Sequence, residues 1–93
     1  MSTPEIAADS RPRLARGHRM QYEPAQECHV LLYPEGMVTL NEPATEILSR
    51  CDGKTTVEAL CAALSAEFGG ADLAADVYDF LALAGSHGWI TWA

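Results

Sequence analysis

Between Val30 and Gly53 the chain reads VLLYPEGMVTLNEPATEILSRCDG, and its apolar spacing changes period partway through. Up to Leu40 the pattern suits extended chain, interrupted at Pro34-Glu35-Gly36; from Asn41 it follows the 3.6-residue period of a helix. Proline at the second position of a four-residue turn already has the required φ, and glycine at the fourth tolerates the exit conformation. Tyr33–Gly36 therefore predicts a type I turn that reverses the chain. Leu31–Tyr33 enters this turn as a strand and Met37–Leu40 returns from it. Asn41 can cap the next helix, Pro43 sits in its first turn, where a missing N–H costs nothing, and Asp52-Gly53 supplies the stop. A sheet is handed directly to a helix, and the returning strand is left with nothing assigned to its far side.

The flanking sequence completes one small α+β domain of 93 residues, near the lower size limit for folding alone. Residues 1–17 hold Pro4 and Pro12 but no apolar periodicity, and read as a flexible N-terminal arm, with Leu14 docking locally. The domain proper is assigned to residues 18–93. Arg19–Tyr22 alternates and reads as a first strand, Glu23–Glu27 as a connection, and Cys28–Tyr33 as a more apolar central strand. With Met37–Leu40 these form an antiparallel meander. Ile47, Leu48 and Cys51 give the first helix its inward stripe. The second helix is introduced by a capping-box pattern, Thr55 to Glu58, and carries Val57, Leu60, Cys61, Leu64 and Phe68. Gly69-Gly70 stops it and Asp72 offers a cap to the third, whose stripe is Leu73, Val77, Phe80, Leu81 and Ala84. Gly85 and Gly88 loosen its end, and Trp89–Trp92 forms a last extended segment. The expected architecture is a three-stranded antiparallel meander followed by three helices, resembling a winged helix-turn-helix.

Charge narrows the partners. Residues 1–19 hold four of the six basic residues, Arg11, Arg13, Arg16 and Arg19, whereas residues 20–93 keep only Arg50 and Lys54 against eleven of the thirteen acids. A body this acidic repels phosphate backbones, and the third helix, which a winged-helix protein would place in the DNA major groove, carries Asp72, Asp76 and Asp79 and no Lys or Arg. No apolar run approaches the roughly 20 residues of a membrane span, and the N-terminus lacks the apolar centre of a secretory signal, so a cytoplasmic location is expected. Cys28, Cys51 and Cys61 form no Cys-x-x-Cys pair and read as buried thiols, and His18, His29 and His87 are scattered, so neither metal nor cofactor is expected. Asp72, Asp76 and Asp79 share a helix face without a companion His and read as a solvated face. No nucleophile–base constellation or phosphate-binding loop is present, so catalytic residues are not assigned.

What remains is binding. An extended peptide can add a strand to the free edge at Met37, Val38, Thr39 and Leu40, with main-chain hydrogen bonds for affinity. The third helix would line the other wall through Leu73, Asp76, Val77, Phe80 and Leu81, although most of its apolar stripe must also face the core. A DNA-binding regulator and a bare subunit or oligomerisation module stay open beside the peptide-binding reading, and a homodimer is open with any of them.

Arg11–Met20 (RPRLARGHRM), Leu31–Gly36 (LLYPEG), Leu40-Asn41, Ile47-Leu48 and Cys51–Gly53 (CDG) resemble the PqqD family of pyrroloquinoline quinone biosynthesis from about Arg11 to Trp89. The resemblance implies a non-catalytic chaperone that binds the ribosomally made precursor peptide PqqA. It further implies presentation of that peptide to PqqE, a radical S-adenosylmethionine enzyme that cross-links a Glu and a Tyr of it. Related recognition domains take their peptides as an added strand beside the third strand and against the third helix, which correspond here to Met37–Leu40 and Leu73–Leu81.

Overall fold

The computed structural model describes residues 6–93. Its elements run β1 (Pro12–Leu14), β2 (Arg19–Glu23), β3 (Cys28–Tyr33), β4 (Gly36–Leu40), α1 (Glu42–Leu48), α2 (Val57–Glu67), α3 (Ala74–Ser86) and β5 (Ile90–Trp92). β2, β3 and β4 form the antiparallel meander, in that order, and β1 pairs with β5 in a separate two-stranded sheet. The protein is thus α+β, a three-stranded sheet followed by three helices.

The register explains which side chains go inward. Met20, Leu31 and Val38 lie opposite one another across the three strands, as do Tyr22, His29 and Leu40. Leu31 and Leu40 join the core with Ile47 and Leu48 of α1, Val57, Leu60 and Leu64 of α2, Val77, Leu81 and Ala84 of α3, and Ile90. On the opposite face of β3, Val30 is also buried, as expected of a central strand. The reversal at Pro34-Glu35 keeps negative φ at both loop residues, whereas Gly36 has φ 154°, a conformation that side-chain-bearing residues rarely adopt.

The helix boundaries shift in instructive ways. Asn41 caps α1 as expected, its side-chain oxygen accepting the Ala44 N–H at 2.9 Å. α1 nevertheless ends at Leu48, before Asp52-Gly53, because the Arg50 and Cys51 N–H groups close tight turns onto Ile47 and Leu48. Asp52 instead organises the next turn, accepting the Lys54 and Thr55 N–H groups, each at 2.8 Å, and the Thr55 hydroxyl. Those backbone donors hold its carboxyl below the usual carboxylate range. With Thr55 engaged there, the cap of α2 falls one residue later than the capping-box pattern predicts, on Thr56, which accepts from Ala59. Asp72 accepts the Ala74 N–H at the start of α3, one residue before the Leu73 boundary. Gly85 does not loosen α3, which continues to Ser86.

The largest departure concerns residues 1–17. Residues 1–5 lie outside the described residues, but the rest of the expected flexible arm has a fixed main-chain partner at nearly every step. Ala8 and Ser10 carbonyls accept the Glu58 and Val57 N–H groups, both at 2.9 Å, and so satisfy two donors that a helix start leaves orphaned. The Pro12 carbonyl accepts from Gly53 N–H at 2.9 Å, and Ala15 N–H donates to the Trp89 carbonyl at 2.8 Å. Pro12 itself is fully buried. Gly53 has φ 77°, a conformation that side-chain-bearing residues rarely adopt, so glycine is favoured where the turn meets β1. Trp89–Trp92 was expected to be extended, and Ile90–Trp92 is, as the partner of β1.

Among the described residues no helix is long and apolar enough to cross a membrane, and no cluster of His, Cys, Asp and Glu could hold a metal ion. Cys28, Cys51 and Cys61 are free thiols, and burial pushes the Cys51 thiol up to about 12, with help from the Asp52 charge. Deleting residues 1–10 should remove the two carbonyl caps of α2 and lower stability by about 1–2 kcal/mol in urea unfolding. An unchanged midpoint and slope would mean that the segment is dispensable.

Candidate functional site

The first component of the site is the outer edge of β4. A two-residue loop makes Tyr33 and Gly36 a hydrogen-bonded pair, and antiparallel alternation then puts Leu31–Val38 and His29–Leu40 in the same class. The N–H and C=O groups of Met37 and Thr39 consequently point away from β3, and among the described residues no strand pairs with them. β2 is also an edge, but Arg19 and Glu23 place charges at its two ends. β4 reads GMVTL, with no charge and no proline, which are the usual devices against strand addition. Met37 is 52% exposed and Thr39 is exposed, whereas Val38 is half-buried and Leu40 belongs to the core.

The second component is a groove of about 390 Å³ lined by residues of the three helices and their ends, the first of which, Glu42, follows β4 in the chain. Glu42, Pro43, Glu46 and Ile47 of α1 line one side, Leu64 and Phe68 come from the end of α2, and Leu73, Asp76 and Val77 come from the start of α3. Of the residues expected to bind a peptide, Leu73, Asp76 and Val77 are thus brought together on this groove. Phe80 is half-buried outside it, and Leu81 is completely buried, so the side chain of Leu81 serves the core. Met37–Leu40 contribute an edge and not a groove wall.

Sequence reasoning missed α1 and the end of α2. Pro43 was read only as a helix starter and Phe68 only as part of an inward stripe. α2 ends at Glu67, however, and Phe68 follows with φ −104° and ψ 36°, which turns its ring off the stripe and leaves it 46% exposed. An aromatic residue directly before Gly69-Gly70 was the available signal.

The polar part of the groove is acidic. Glu46 pairs with Arg50 at 2.9 Å, and Arg50 also reaches Glu67, so the cation ties α1 to the end of α2. The hydrogen bond to Glu46 and the two carboxylate charges outweigh desolvation and raise the Arg50 pKa. Glu42 and Asp76 occupy the first turns of α1 and α3, where the helix dipole favours negative charge. Nothing here supplies a nucleophile with a base, and the arrangement suits binding an extended chain.

Residues 28–90 match the family model described as Coenzyme PQQ synthesis protein D (PqqD). A PqqA binding protein of Pseudomonas aeruginosa strain UCBPP-PA14 is 52% identical over 93 residues, covering 97% of each chain. One from Azotobacter vinelandii is 48% identical over 87 residues, covering 92% of this chain and 95% of the relative. The solution NMR structure of the PqqD truncation of Methylobacterium extorquens PqqCD superposes with a TM-score of 0.80 at 28% identity, covering 98% of this chain and 99% of that one. That protein is described as a functional, stand-alone recognition element for ribosomally synthesized and post-translationally modified peptides.

If Phe68 belongs to a groove and Leu64 to the core, truncation separates them. Leu64→Ala should cost about 2–4 kcal/mol in chemical unfolding, and Phe68→Ala less than about 1 kcal/mol. Equal losses would place Phe68 in the core.

Proposed function

The chain belongs to the PqqD family, and from that premise we propose that it binds the precursor peptide PqqA and presents it, without itself making or breaking bonds, to the radical S-adenosylmethionine enzyme PqqE in the cytoplasm. Its relatives are PqqA binding proteins, and its structural neighbour is a peptide recognition element. The observation that carries the reading is the uncharged edge of β4, unpaired among the described residues and followed in the chain by the α1 residues that line an apolar groove. PqqA would lie along Met37–Leu40 as an added strand, taking main-chain hydrogen bonds from Met37 and Thr39 and apolar contact from Leu73 and Val77, with Phe80 as a flanking surface. Asp76 would face the peptide from the wall of α3.

Ordering a flexible peptide costs conformational entropy, so the domain's contribution is to absorb that cost once and hold the peptide at high effective concentration beside the enzyme. The enzyme would dock on the arginine-bearing segment. Arg11, Arg13, Arg16 and Arg19 are exposed, and Arg50 supplies the cation in both ion pairs found among the described residues. A second copy of the chain would compete with the peptide for the same edge, so a homodimer would dissociate as peptide binds. Duplex DNA is disfavoured by α3, whose sequence AADVYDFLALAGS contains no Lys or Arg.

The test uses two prolines. Thr39→Pro removes an outward donor while leaving the bonds to β3 in place, so the fold should survive and PqqA affinity should fall by about 1 kcal/mol, roughly fivefold. Val38→Pro removes a bond within the hairpin and should instead lower stability. A folded Thr39→Pro protein with undiminished affinity in a labelled-peptide titration would rule out strand addition at β4.

A further inference from the structure

The central strand is apolar on both of its faces, and the main core takes up only one of them. Residues directly opposite one another across antiparallel strands share a face. Leu31 is in the core, and Met20 and Val38 pack against that core. The neighbouring rows, Arg19–Leu32–Met37 and Gln21–Val30–Thr39, therefore project from the other face, as does the pair Glu23–Cys28. β3 thus places Cys28, Val30 and Leu32 outward, where an antiparallel sheet with one face in water ordinarily carries polar residues. None of the three belongs to the main core or packs against it, and neither does Met37. Val30 is buried, Cys28 and Leu32 are half-buried, and Met37 is 52% exposed. Apolar side chains, a methionine and an arginine, with no carboxylate before Glu23 at the far end, are the composition of an interface centre.

The two borders of this face say what it meets. At the β2 border stands Arg19, exposed and without an ion-pair partner among the described residues, the last of the four arginines already assigned to the enzyme. At the β4 border stands Met37, whose outward main-chain groups would pair with the precursor. Side chains of a strand alternate, so every second residue of a strand added at β4 projects onto this same face. With strands about 4.8 Å apart, Arg19, Leu32, Met37 and one precursor residue make a row about 14 Å wide. The precursor side chains turned away from the helices are displayed there, in line with the arginine segment. A second copy is the poorer occupant. It would hide those side chains, and residues 20–93 carry eleven acids against two basic residues, so two such bodies repel.

We propose that the outer face of β2–β3–β4 is the docking surface for PqqE, and that the bound precursor strand completes it. This rests on the strand-addition reading at β4 and extends the enzyme's contact from Arg19 across the sheet. The matching surface of the enzyme is apolar, with a carboxylate opposite Arg19. The enzyme meets this chain and its substrate on one continuous sheet, so it binds the loaded chain more tightly than the free one. By linkage it tightens precursor binding by the same factor.

The experiment has two measurements. Labelled PqqA is titrated alone, by fluorescence anisotropy, into the wild type, L32Q and R19Q. PqqE is then titrated into the isotope-labelled proteins with and without PqqA, reading its affinity and the amide shifts. Leu32 lies on β3 and Arg19 on β2, so both variants should hold PqqA within about twofold. L32Q should lose about tenfold and R19Q about threefold in affinity for PqqE. The amides of Cys28, Val30 and Leu32 should shift on adding PqqE, and the PqqA-loaded wild type should bind it about fivefold more tightly than the free protein. Unmoved amides at these three residues, or unchanged PqqE affinity in folded L32Q and R19Q, would overturn the docking surface, while the first titration would leave PqqA binding standing. Equal PqqE affinity with and without PqqA would overturn the precursor's part in the surface. If circular dichroism shows L32Q unfolded, the amide shifts and R19Q decide. A wild-type dimer in sedimentation velocity that L32Q abolishes would give the face to a second copy and overturn the assignment. Failure of PqqA to bind the wild type would instead sink strand addition itself, which the first titration reads without the enzyme.

Discussion

The outward-facing N–H and C=O groups of Met37 and Thr39 are the constraint around which this structure is arranged. Main-chain polar groups need partners, and this chain finds them with unusual economy elsewhere: carbonyls of the N-terminal segment close α2, and β1 is bonded to β5. β1 is thereby committed to the C-terminal strand and is not available to cover β4. A small domain with five strands could have closed one larger sheet. Dividing them into two sheets keeps an edge open at the point where the chain passes into α1.

That division also makes the open edge firm. The hairpin is held from below by Leu31 and Leu40 in the core, and at its tip by the turn after β1, where Gly17 packs on Pro34 and His18 stacks on Tyr33 at 5.7 Å. At the other end, Asn41 caps α1 and sets Pro43 on the groove wall, while Arg50 braces α1 against the end of α2. An edge that is rigid before a ligand arrives loses less entropy on binding than one that must be ordered. The N-terminal segment is thus bonded to the start of α2 and packed on the hairpin tip, two parts of the frame that carries β4 and the groove.

Most of the fold was legible because side-chain pattern records it directly. Pro34-Glu35-Gly36, the Asn41 cap and the stripe Val57, Leu60, Leu64 each state a local conformation through chemistry at fixed spacing. The pairing of residues 8–15 was not legible, because its partners are backbone groups and main-chain bonds leave almost no trace in residue type; only the buried Pro12 and the positive φ of Gly53 mark it. The edge half of the candidate site could be read from element order. The groove half could not, since Ile47, Leu64 and Val77 look the same whether they line a cleft or fill a core, and Phe68, which lines the space from just past the end of α2, reads as one more member of the helix stripe.

Function then follows from an asymmetry between two kinds of contact. Under the proposed reading, main-chain pairing along β4 would give affinity with little regard for sequence, and side-chain contacts in the apolar groove would add selectivity. The most direct test of the central claim is amide hydrogen exchange at Met37 and Thr39, measured by NMR with and without PqqA peptide. In the free protein both amides face solvent and should exchange rapidly, and bound peptide should slow these two by tenfold or more while Val38, already bonded to β3, changes far less. Saturating peptide that leaves Met37 and Thr39 exchanging at their free rates would contradict strand addition at this edge.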